Sequence, residues 1–372
     1  DSPERSGTGA RIPELDGLRG LAALTVLVYH VRPRWLPAGW LSVDLFFVLS
    51  GFLISTILLE HAGTPGFLRA FYIRRGLRIW PIYVLTIVLL VVFSGWLPRK
   101  PSWSGLWTTL TYTQFVPVDW GGSTKLFTSS LTHTWSLAVE EQFYLLWPLL
   151  VLMIGPRRLG WLALGTVMVS VTLRTQGWSW VTLLGRIDGL ALGGLLAWVI
   201  RCGSGQVLFL RSCLWVGILG MAALMVLGIT PEPQFPQSCP GLWILTFDLA
   251  AVGVVGYLPL GTGAARFAPL RWGLPTYLGR VSYGLYLYHF VILWTVSQGC
   301  RAGRIERIPL SALLPALALC FVAAAVSWRY VEQPLLRWKS LAPYDRGDPS
   351  RARGLSTAGR EPASSMEVCT ES

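Results

Sequence analysis

Ten long stretches of mostly apolar residues limit what this chain can fold into. A helix needs about 20 apolar residues to cross the hydrocarbon core of a bilayer, and each stretch is close to that length. They cover residues 18–36, 41–60, 79–97, 132–154, 159–176, 183–200, 212–230, 241–260, 281–299 and 309–330. The sequence therefore predicts an all-α fold, a polytopic transmembrane helix bundle of about ten spans.

The composition agrees with a membrane protein and excludes other classes. Of the 372 residues, 53% are hydrophobic and only 13% are charged, whereas a soluble domain has about 25% charged residues. Many of the 19 Trp residues lie at the ends of apolar stretches, where the indole ring matches the membrane interface. The net charge of +12 comes from short clusters between those stretches. The expected partner is therefore the lipid bilayer, and nucleic acid is not.

The Lys and Arg residues predict the orientation. With ten spans both termini lie on one side, and 20 of the 31 Lys and Arg residues fall on that side against nine on the other. The positive-inside rule therefore places both termini in the cytoplasm, with the bundle in the cell (inner) membrane. We expect a cytoplasmic arm over 1–17, a transmembrane domain over 18–340 and a disordered tail over 341–372. The loop 98–131 is expected outside the bundle, and no cleavable signal peptide is expected.

The first helix carries two polar residues on one face. Arg19 and His30 are eleven residues apart, which leaves them about 20° apart around a helix and about 16 Å apart along it. A neutral imidazole can accept a proton from a hydroxyl, and an Arg at the cytoplasmic end can bind phosphate. The alternatives are a positive-inside anchor for Arg19 and an interfacial histidine for His30.

Carboxylates and histidines follow in the other helices. Asp44 begins the second helix near the level of His30, where it could orient the imidazole or cap the helix. His133 and Glu140 are seven residues apart and form a second polar stripe. Because such groups are costly in a membrane, they predict a water-filled cavity. His133, Trp135 and His289 are candidate substrate-binding residues, although a structural role for His289 is equally compatible with the sequence.

Arginines beyond the first helix leave two interpretations open. Arg74, Arg75 and Arg78 lie together on the predicted cytoplasmic side, either as topology anchors or as ligands for the phosphates of a nucleotide-like donor. Arg186 and Asp188 are expected to pair with each other. The six Cys residues show no metal-ligand spacing, so no metal site is expected.

Seven motifs in this order resemble the integral-membrane acyltransferase-3 family over about residues 11–340. They are LDGLRGLAAL with Arg19 and His30 in an R-x10-H pattern, VDLFFVLSGFLI (43–54), RRGLRIWPIY (74–83), HTWSLAVEEQFYLLWP (133–148), GRIDGLALG (185–193), LGRVSYGLYLYHF (278–290) and YVEQP (330–334).

The resemblance implies an O-acyltransferase. His30 is the implied catalytic residue and Arg19 is implied to be needed for activity. The implied donor is a cytoplasmic acyl-CoA, with no permanently bound cofactor. The implied acceptor is a hydroxyl of a surface polysaccharide, a glycolipid or a glycosylated metabolite such as a macrolide. Some members carry a further hydrolase-like domain after the bundle. We see none here, so we expect transfer to be completed within the bundle or by a partner.

Two readings from other classes remain at this stage. A proton-coupled transporter or flippase of a glycan or lipid would also place His and carboxylates inside the membrane. Such transporters often contain inverted repeats, and we find no internal repeat in the sequence. A non-catalytic scaffold is the third reading, and it would tolerate the loss of both Arg19 and His30.

Overall fold

The computed structural model describes residues 12–96, 102–115, 127–203, 205–231, 240–260 and 267–344. The fold is all-helical, with 83% helix and no strand in these ranges, which confirms the predicted fold class. The α-helices are α1 (Pro13–Val31), α2 (Ser42–His61), α3 (Phe67–Val92), α4 (Ser104–Leu110), α5 (Trp135–Ile154), α6 (Leu159–Thr175), α7 (Leu183–Arg186), α8 (Asp188–Cys202), α9 (Gln206–Val226), α10 (Pro240–Tyr257), α11 (Gly273–Gly299), α12 (Leu310–Ser327) and α13 (Gln333–Arg337).

Most long helices coincide with the predicted spans, and the two largest differences have one cause. α3 begins at Phe67 rather than near residue 79, and α11 begins at Gly273 rather than near 281. The apolar run in each case starts only after an arginine, Arg78 or Arg280. The helix itself continues through these arginines, because a backbone that is already helical keeps its hydrogen bonds whatever the side chain.

Six segments have the length and mean hydropathy of membrane-spanning helices, and they contain α2, α3, α5, α9, α10 and α12. Four other long helices do not qualify. α6 and α8 have only 17 and 15 residues, while α1 and α11 carry polar side chains along one face. The chain is thus a multi-pass membrane protein by its helices, and the count of ten spans stays a prediction.

Glycines set the distance between neighbouring helices at two contacts that matter for the site. A Cβ added to Gly20 of α1 would meet Pro275 O and one added to Gly279 of α11 would overlap Asp16 O. Gly51 of α2 has the same relation to the backbone of Leu190 in α8. Small residues allow helix backbones to approach closely in membranes. α1 and α11 therefore lie against each other, which brings their histidines together.

Two predicted segments differ from expectation. The predicted sixth span is interrupted at Ile187, between α7 and α8. Residues 102–115 lie against the bundle instead of outside it, because Tyr83 Oη donates to Thr109 O at 2.8 Å and the Tyr83 and Tyr112 rings stack at 4.5 Å. Residues 98–101 and 116–126 of the predicted loop, most of the arm 1–17 and the tail from 345 lie outside the described residues.

Candidate active site

A central cavity lies between α1, α2, α3, α5 and α11. Its charged lining consists of Arg19, Arg75, Arg78 and Glu140, and His289 also lines it. Three cations face one carboxylate, so the formal charge of the lining is positive. Among the described residues no group of three or more His, Cys, Asp or Glu could hold a metal ion. The cavity is suited to a ligand that carries several negative charges.

One face of α1 forms a wall of the central cavity. Arg19, Ala23, Val26 and Leu27 all line it, in the three- and four-residue steps of a helix face. His30 continues this face one step further. Its ring does not line the cavity directly, but it contacts His289, which does.

His30 and His289 share a hydrogen bond whose direction follows from the partners. His289 Nδ1 lies 3.0 Å from Leu285 O, and a carbonyl oxygen only accepts, so Nδ1 carries the hydrogen. His289 Nε2 then has the lone pair that faces His30 Nδ1 at 3.2 Å. His30 Nδ1 must therefore donate, which leaves the lone pair of neutral His30 on Nε2. The two rings lie 5.1 Å apart between centroids.

His133 joins this cluster from the short 3₁₀ segment before α5. Its ring is buried, lies 5.5 Å from that of His289 and stacks on Phe290 at 5.0 Å. Neither of its ring nitrogens has a hydrogen-bond partner within the described ranges. Tyr286 Oη donates to the His133 carbonyl oxygen at 2.6 Å, which fixes the segment against α11.

Glu140 lies between the arginines and the histidines and is bound by hydroxyls. Ser50 Oγ donates to one carboxylate oxygen at 2.8 Å, and Tyr144 Oη lies 3.1 Å from the other. Tyr144 Oη also lies 3.0 Å from Ser50 Oγ. No hydrogen bond joins Glu140 to His30 among the described residues. Its carboxylate balances part of the charge of the arginines.

The three arginines at the start of α3 separate into two groups. Arg75 and Arg78 line the central cavity. Arg74 instead donates to the carbonyl oxygens of Lys339 and Ala342 at 3.3 and 3.1 Å, and its guanidinium lies 4.6 Å from the centroid of Tyr344. Arg74 thus attaches the segment after α13 to the bundle, and it does not line the cavity.

The structure corrects two expected side-chain contacts. Asp44 is fully buried, and both its oxygens accept hydrogen bonds from Arg186, at 2.8 and 2.6 Å. Asp188 binds Arg174 at 2.5 and 2.8 Å. The expectation that Arg186 and Asp188 pair with each other is therefore wrong. Asp44 therefore binds Arg186, and no hydrogen bond joins Asp44 to His30 among the described residues.

Trp135, a predicted substrate-binding residue, belongs to this buried charge cluster. Its ring lies 5.3 Å from the Arg186 guanidinium, which also contacts the rings of Trp40 and Trp180. The neighbouring Ser136 lines the central cavity and Trp135 does not. A cation among aromatic faces is stabilised by their quadrupoles, so the geometry gives Trp135 a structural contact.

The comparisons with known proteins agree with this geometry. The sequence profile described as "Acyltransferase domain" matches residues 12–331, nearly the whole chain. The chain belongs to this acyltransferase family. The match confirms the resemblance that the motifs indicate, and it favours an enzyme over a transporter or a scaffold.

Curated relatives of this acyltransferase domain are named as enzymes. The chain is 29% identical to the peptidoglycan O-acetyltransferase OatA of Listeria monocytogenes and 28% identical to the O-acetyltransferase OatA of Staphylococcus aureus. Each alignment covers 87% of the chain. The chain spans only 56% and 57% of the length of these relatives. No solved structure matches the chain.

Several residues that line the central cavity are not among the site residues predicted from the sequence. They are hydroxyl-bearing side chains: Ser50, Ser136, Tyr144, Ser282, Tyr283 and Tyr286. Helical spacing could have identified three of them. Ser136 precedes Glu140 by four residues and Tyr144 follows it by four, and Tyr286 precedes His289 by three. Such positions share a helix face. The others are not distinguishable from ordinary small or aromatic packing residues.

Proposed function

We propose that this chain is a membrane O-acyltransferase that moves an acyl group, acetyl in the simplest case, from acyl-CoA to a hydroxyl of a sugar-containing acceptor. The family supplies the reaction class, and the donor, the acceptor and the residue roles are part of the proposal. The protein would act in the cell membrane, with its donor on the cytoplasmic side.

One observation carries the proposal: a single cavity connects the arginines with the histidine pair. Arg19, Arg75 and Arg78 line the same space as His289, whose ring binds His30. CoA carries several phosphate groups, and guanidinium groups bind phosphate oxygens through charge-assisted hydrogen bonds. A donor held by its phosphates at the arginines would extend its thioester towards the histidines.

The acyl transfer itself requires a base. His30 Nε2 takes the proton of the acceptor hydroxyl while that oxygen attacks the thioester carbonyl carbon. The new C–O bond forms, the C–S bond breaks, and the sulfur leaves with the proton from His30 as the free thiol of CoA. The imidazole is then neutral again, and no other reactant is consumed.

His289 acts in this scheme as a positioning residue. By accepting from His30 Nδ1, it holds His30 in the tautomer whose Nε2 can accept a proton. It also stabilises the imidazolium that forms during the transfer, because a hydrogen bond from a charged donor is stronger than one from a neutral donor. Neither role requires Asp44, whose carboxylate is bound to Arg186.

The test is transfer of labelled acetyl groups by the full chain in lipid nanodiscs. Purified protein is mixed with labelled acetyl-CoA and an alkyl glucoside, and ester formation is measured by mass spectrometry. We expect His30→Ala to lower the rate by about 10²- to 10⁴-fold, the usual value of a general base. His61→Ala, at the opposite end of α2 from Asp44, is the matched control. Equal rates in wild type and His30→Ala would contradict the proposal, as would label that enters sealed proteoliposomes of the wild type without ester formation.

A further inference from the structure

A second cavity lies beside the central one, between α3 and α5. This lateral cavity is lined on α3 by Tyr72, Gly76 and Trp80 and on α5 by Glu141 and Leu145. Side chains bridge the two helices here, since Tyr72 Oη donates to Leu145 O at 3.0 Å and Trp80 Nε1 donates to Glu141 Oε2 at 2.9 Å. Neither the acyl donor nor the histidines need this space.

The lateral cavity adjoins the central cavity through two shared side chains. Arg75 and Tyr144 line both cavities, and the Arg75 guanidinium lies 5.5 Å from the centroid of the Tyr144 ring. The two cavities therefore adjoin at these two side chains. The position is suitable for an acceptor that approaches the donor from the side.

Two buried polar atoms of the lateral cavity lack partners. Glu141 Oε1 and Tyr112 Oη are both shielded from solvent, and neither has a hydrogen-bond partner within the described ranges. A buried polar group without a partner costs about 1–3 kcal/mol. A carboxylate oxygen can only accept, so the missing partner of Glu141 is a donor such as a hydroxyl.

Tyr112 is held in an unusual backbone conformation. Its φ is +57°, in the left-handed region, and its side chain is only 5% exposed. A residue other than glycine in this region costs about 1–3 kcal/mol, and such residues concentrate at functional sites. Stacking on Tyr83 and the bond from Gln142 Nε2 to Tyr112 O at 2.7 Å keep Tyr112 at the wall of the cavity.

The outer part of the lateral cavity faces the bilayer. Trp80 is 56% exposed and Leu145 is 57% exposed, and both belong to segments with the hydropathy of membrane spans. On helices that span a membrane, such exposed apolar side chains are expected to contact lipid. A ligand that enters here must have a part that is soluble in hydrocarbon.

We infer that the lateral cavity binds a glycolipid acceptor, with sugar hydroxyls against Glu141 and Tyr112 and the hydrocarbon tail between Trp80 and Leu145. The inference rests on the proposed function, and it adds the acceptor class and a route of entry from the bilayer. A hydrocarbon chain alone does not account for Glu141 and Tyr112, because it offers no hydrogen-bond donor. The aromatic rings of Trp80 and Tyr72 add apolar faces for the sugar.

Gly76 allows the cavity to be filled without disturbing the helix. It lines the lateral cavity and not the central one, and a Cβ added there meets no atom within 4 Å. Gly76→Leu should therefore occupy the binding space while the backbone of α3 keeps its place. Gly165→Leu on α6, where an added Cβ also meets no atom within 4 Å, is the matched control. Both substitutions raise helix propensity by about 1 kcal/mol.

The probe is a dodecyl glucoside with a diazirine in its alkyl chain, crosslinked to the full chain in nanodiscs. We expect label on the peptides of α3 and α5 in the wild type and in Gly165→Leu, and at least tenfold less in Gly76→Leu. Unlabelled dodecyl glucoside should compete, whereas dodecane, which has no hydroxyl, should not. In Glu141→Met, which keeps the length of the side chain and removes the acceptor, dodecane should compete as well as the glucoside.

The outcomes separate this inference from the proposed function. Label that is unchanged in Gly76→Leu, or equal competition by dodecane in the wild type, overturns the glycolipid site. The same variants are assayed for acetyl transfer to dodecyl glucoside, and the rate in Gly76→Leu should fall at least tenfold. Specific label without any transfer supports the site and contradicts the acyltransferase reaction. Transfer that depends on His30 but is unaffected by Gly76→Leu supports the acyltransferase reaction and contradicts the glycolipid site.

Discussion

His289 can be tested apart from the base that it positions. The hydrogen bond from His30 Nδ1 to His289 Nε2 requires an acceptor at that place, and a neutral hydrogen bond is worth about 0.5–1.5 kcal/mol. We therefore expect His289→Leu to lower kcat by up to about tenfold, because 1.4 kcal/mol corresponds to a factor of ten. The KM for acetyl-CoA should change little, since the arginines that bind it are untouched.

The conservative variant His289→Gln distinguishes positioning from packing. The amide oxygen of Gln can accept from His30 Nδ1, so this variant should recover most of the rate that His289→Leu loses. The check is the steady-state rate of both variants over a range of pH. Equal loss in both variants would mean that His289 has another function, such as direct contact with the acceptor.

Arg74 and Arg75 provide a matched pair for the donor site. Arg75 lines the central cavity, whereas Arg74 binds the segment after α13. A hydrogen bond to a charged group is worth about 1.5–3 kcal/mol, so Arg75→Gln should raise the KM for acetyl-CoA by about 10- to 100-fold. Arg74→Gln should leave it nearly unchanged. The measurement is initial rate against acetyl-CoA concentration, and equal effects would contradict the assignment of Arg75 to the phosphates.

Sequence periodicity predicts which face a residue occupies but not which residue it meets. The spacing of Arg19 and His30 predicts that both residues lie on one face of the first helix. The contact of Asp44 with Arg186 was not, because 142 residues separate them and nothing local distinguishes Arg186 from Arg174 as a partner. The same holds for His289, whose spacing gives no indication that its ring meets His30.

At the scale of helices, the Asp44–Arg186 pair fixes α2 to α7. Both side chains are fully buried, and removing one member of such a pair costs about 3–5 kcal/mol because the other charge is left unpaired. We expect Asp44→Leu to lower the apparent Tm in detergent and the yield of monodisperse protein. Replacing both members by apolar residues is often neutral.

The double variant Asp44→Leu with Arg186→Met should therefore recover much of the lost stability. Activity should recover with it, since the pair does not touch the central cavity. Thermal unfolding and acetyl transfer are measured on the single and double variants together. Recovered stability with no recovered transfer would show that the Asp44 carboxylate has a catalytic function after all.

Helix positions were more predictable than helix boundaries. Apolar runs located all ten long helices because hydrophobic length is a local property. They missed the starts of α3 and α11, where arginines lie inside a helix, and the interruption at Ile187. These are places where side chains of the site or of the buried charge cluster replace apolar ones. The deviations from a simple hydropathy pattern therefore lie close to the functional residues.

At the scale of the whole molecule, the proposed function and the inferred acceptor site assign the two cavities to two kinds of substrate. The central cavity carries cations that would hold the proposed donor, and the lateral cavity opens where the surface is apolar. Arg75 and Tyr144 line both. An enzyme with this plan joins a soluble donor to a membrane-dissolved acceptor without bringing either into the solvent of the other.

The proposed donor requires that the central cavity be reached from the cytoplasm, which depends on the number and the direction of the spans. Two native cysteines can test both. Cys202 at the end of α8 and Cys300 after α11 are exposed, whereas Cys213 and Cys320 are buried. Ten spans place Cys202 in the cytoplasm and Cys300 outside. Six spans, formed by α2, α3, α5, α9, α10 and α12, place both on the same side.

Single-cysteine variants that keep only Cys202 or only Cys300 are treated in intact cells with a membrane-impermeant maleimide. With ten spans and cytoplasmic termini, we expect Cys300 to be labelled and Cys202 to be labelled only after the cells are opened. Label on both residues or on neither in intact cells would contradict ten spans. Label on Cys202 alone would keep the count and invert the orientation. The arginines of the central cavity would then face away from cytoplasmic acyl-CoA, and the proposed donor would be wrong.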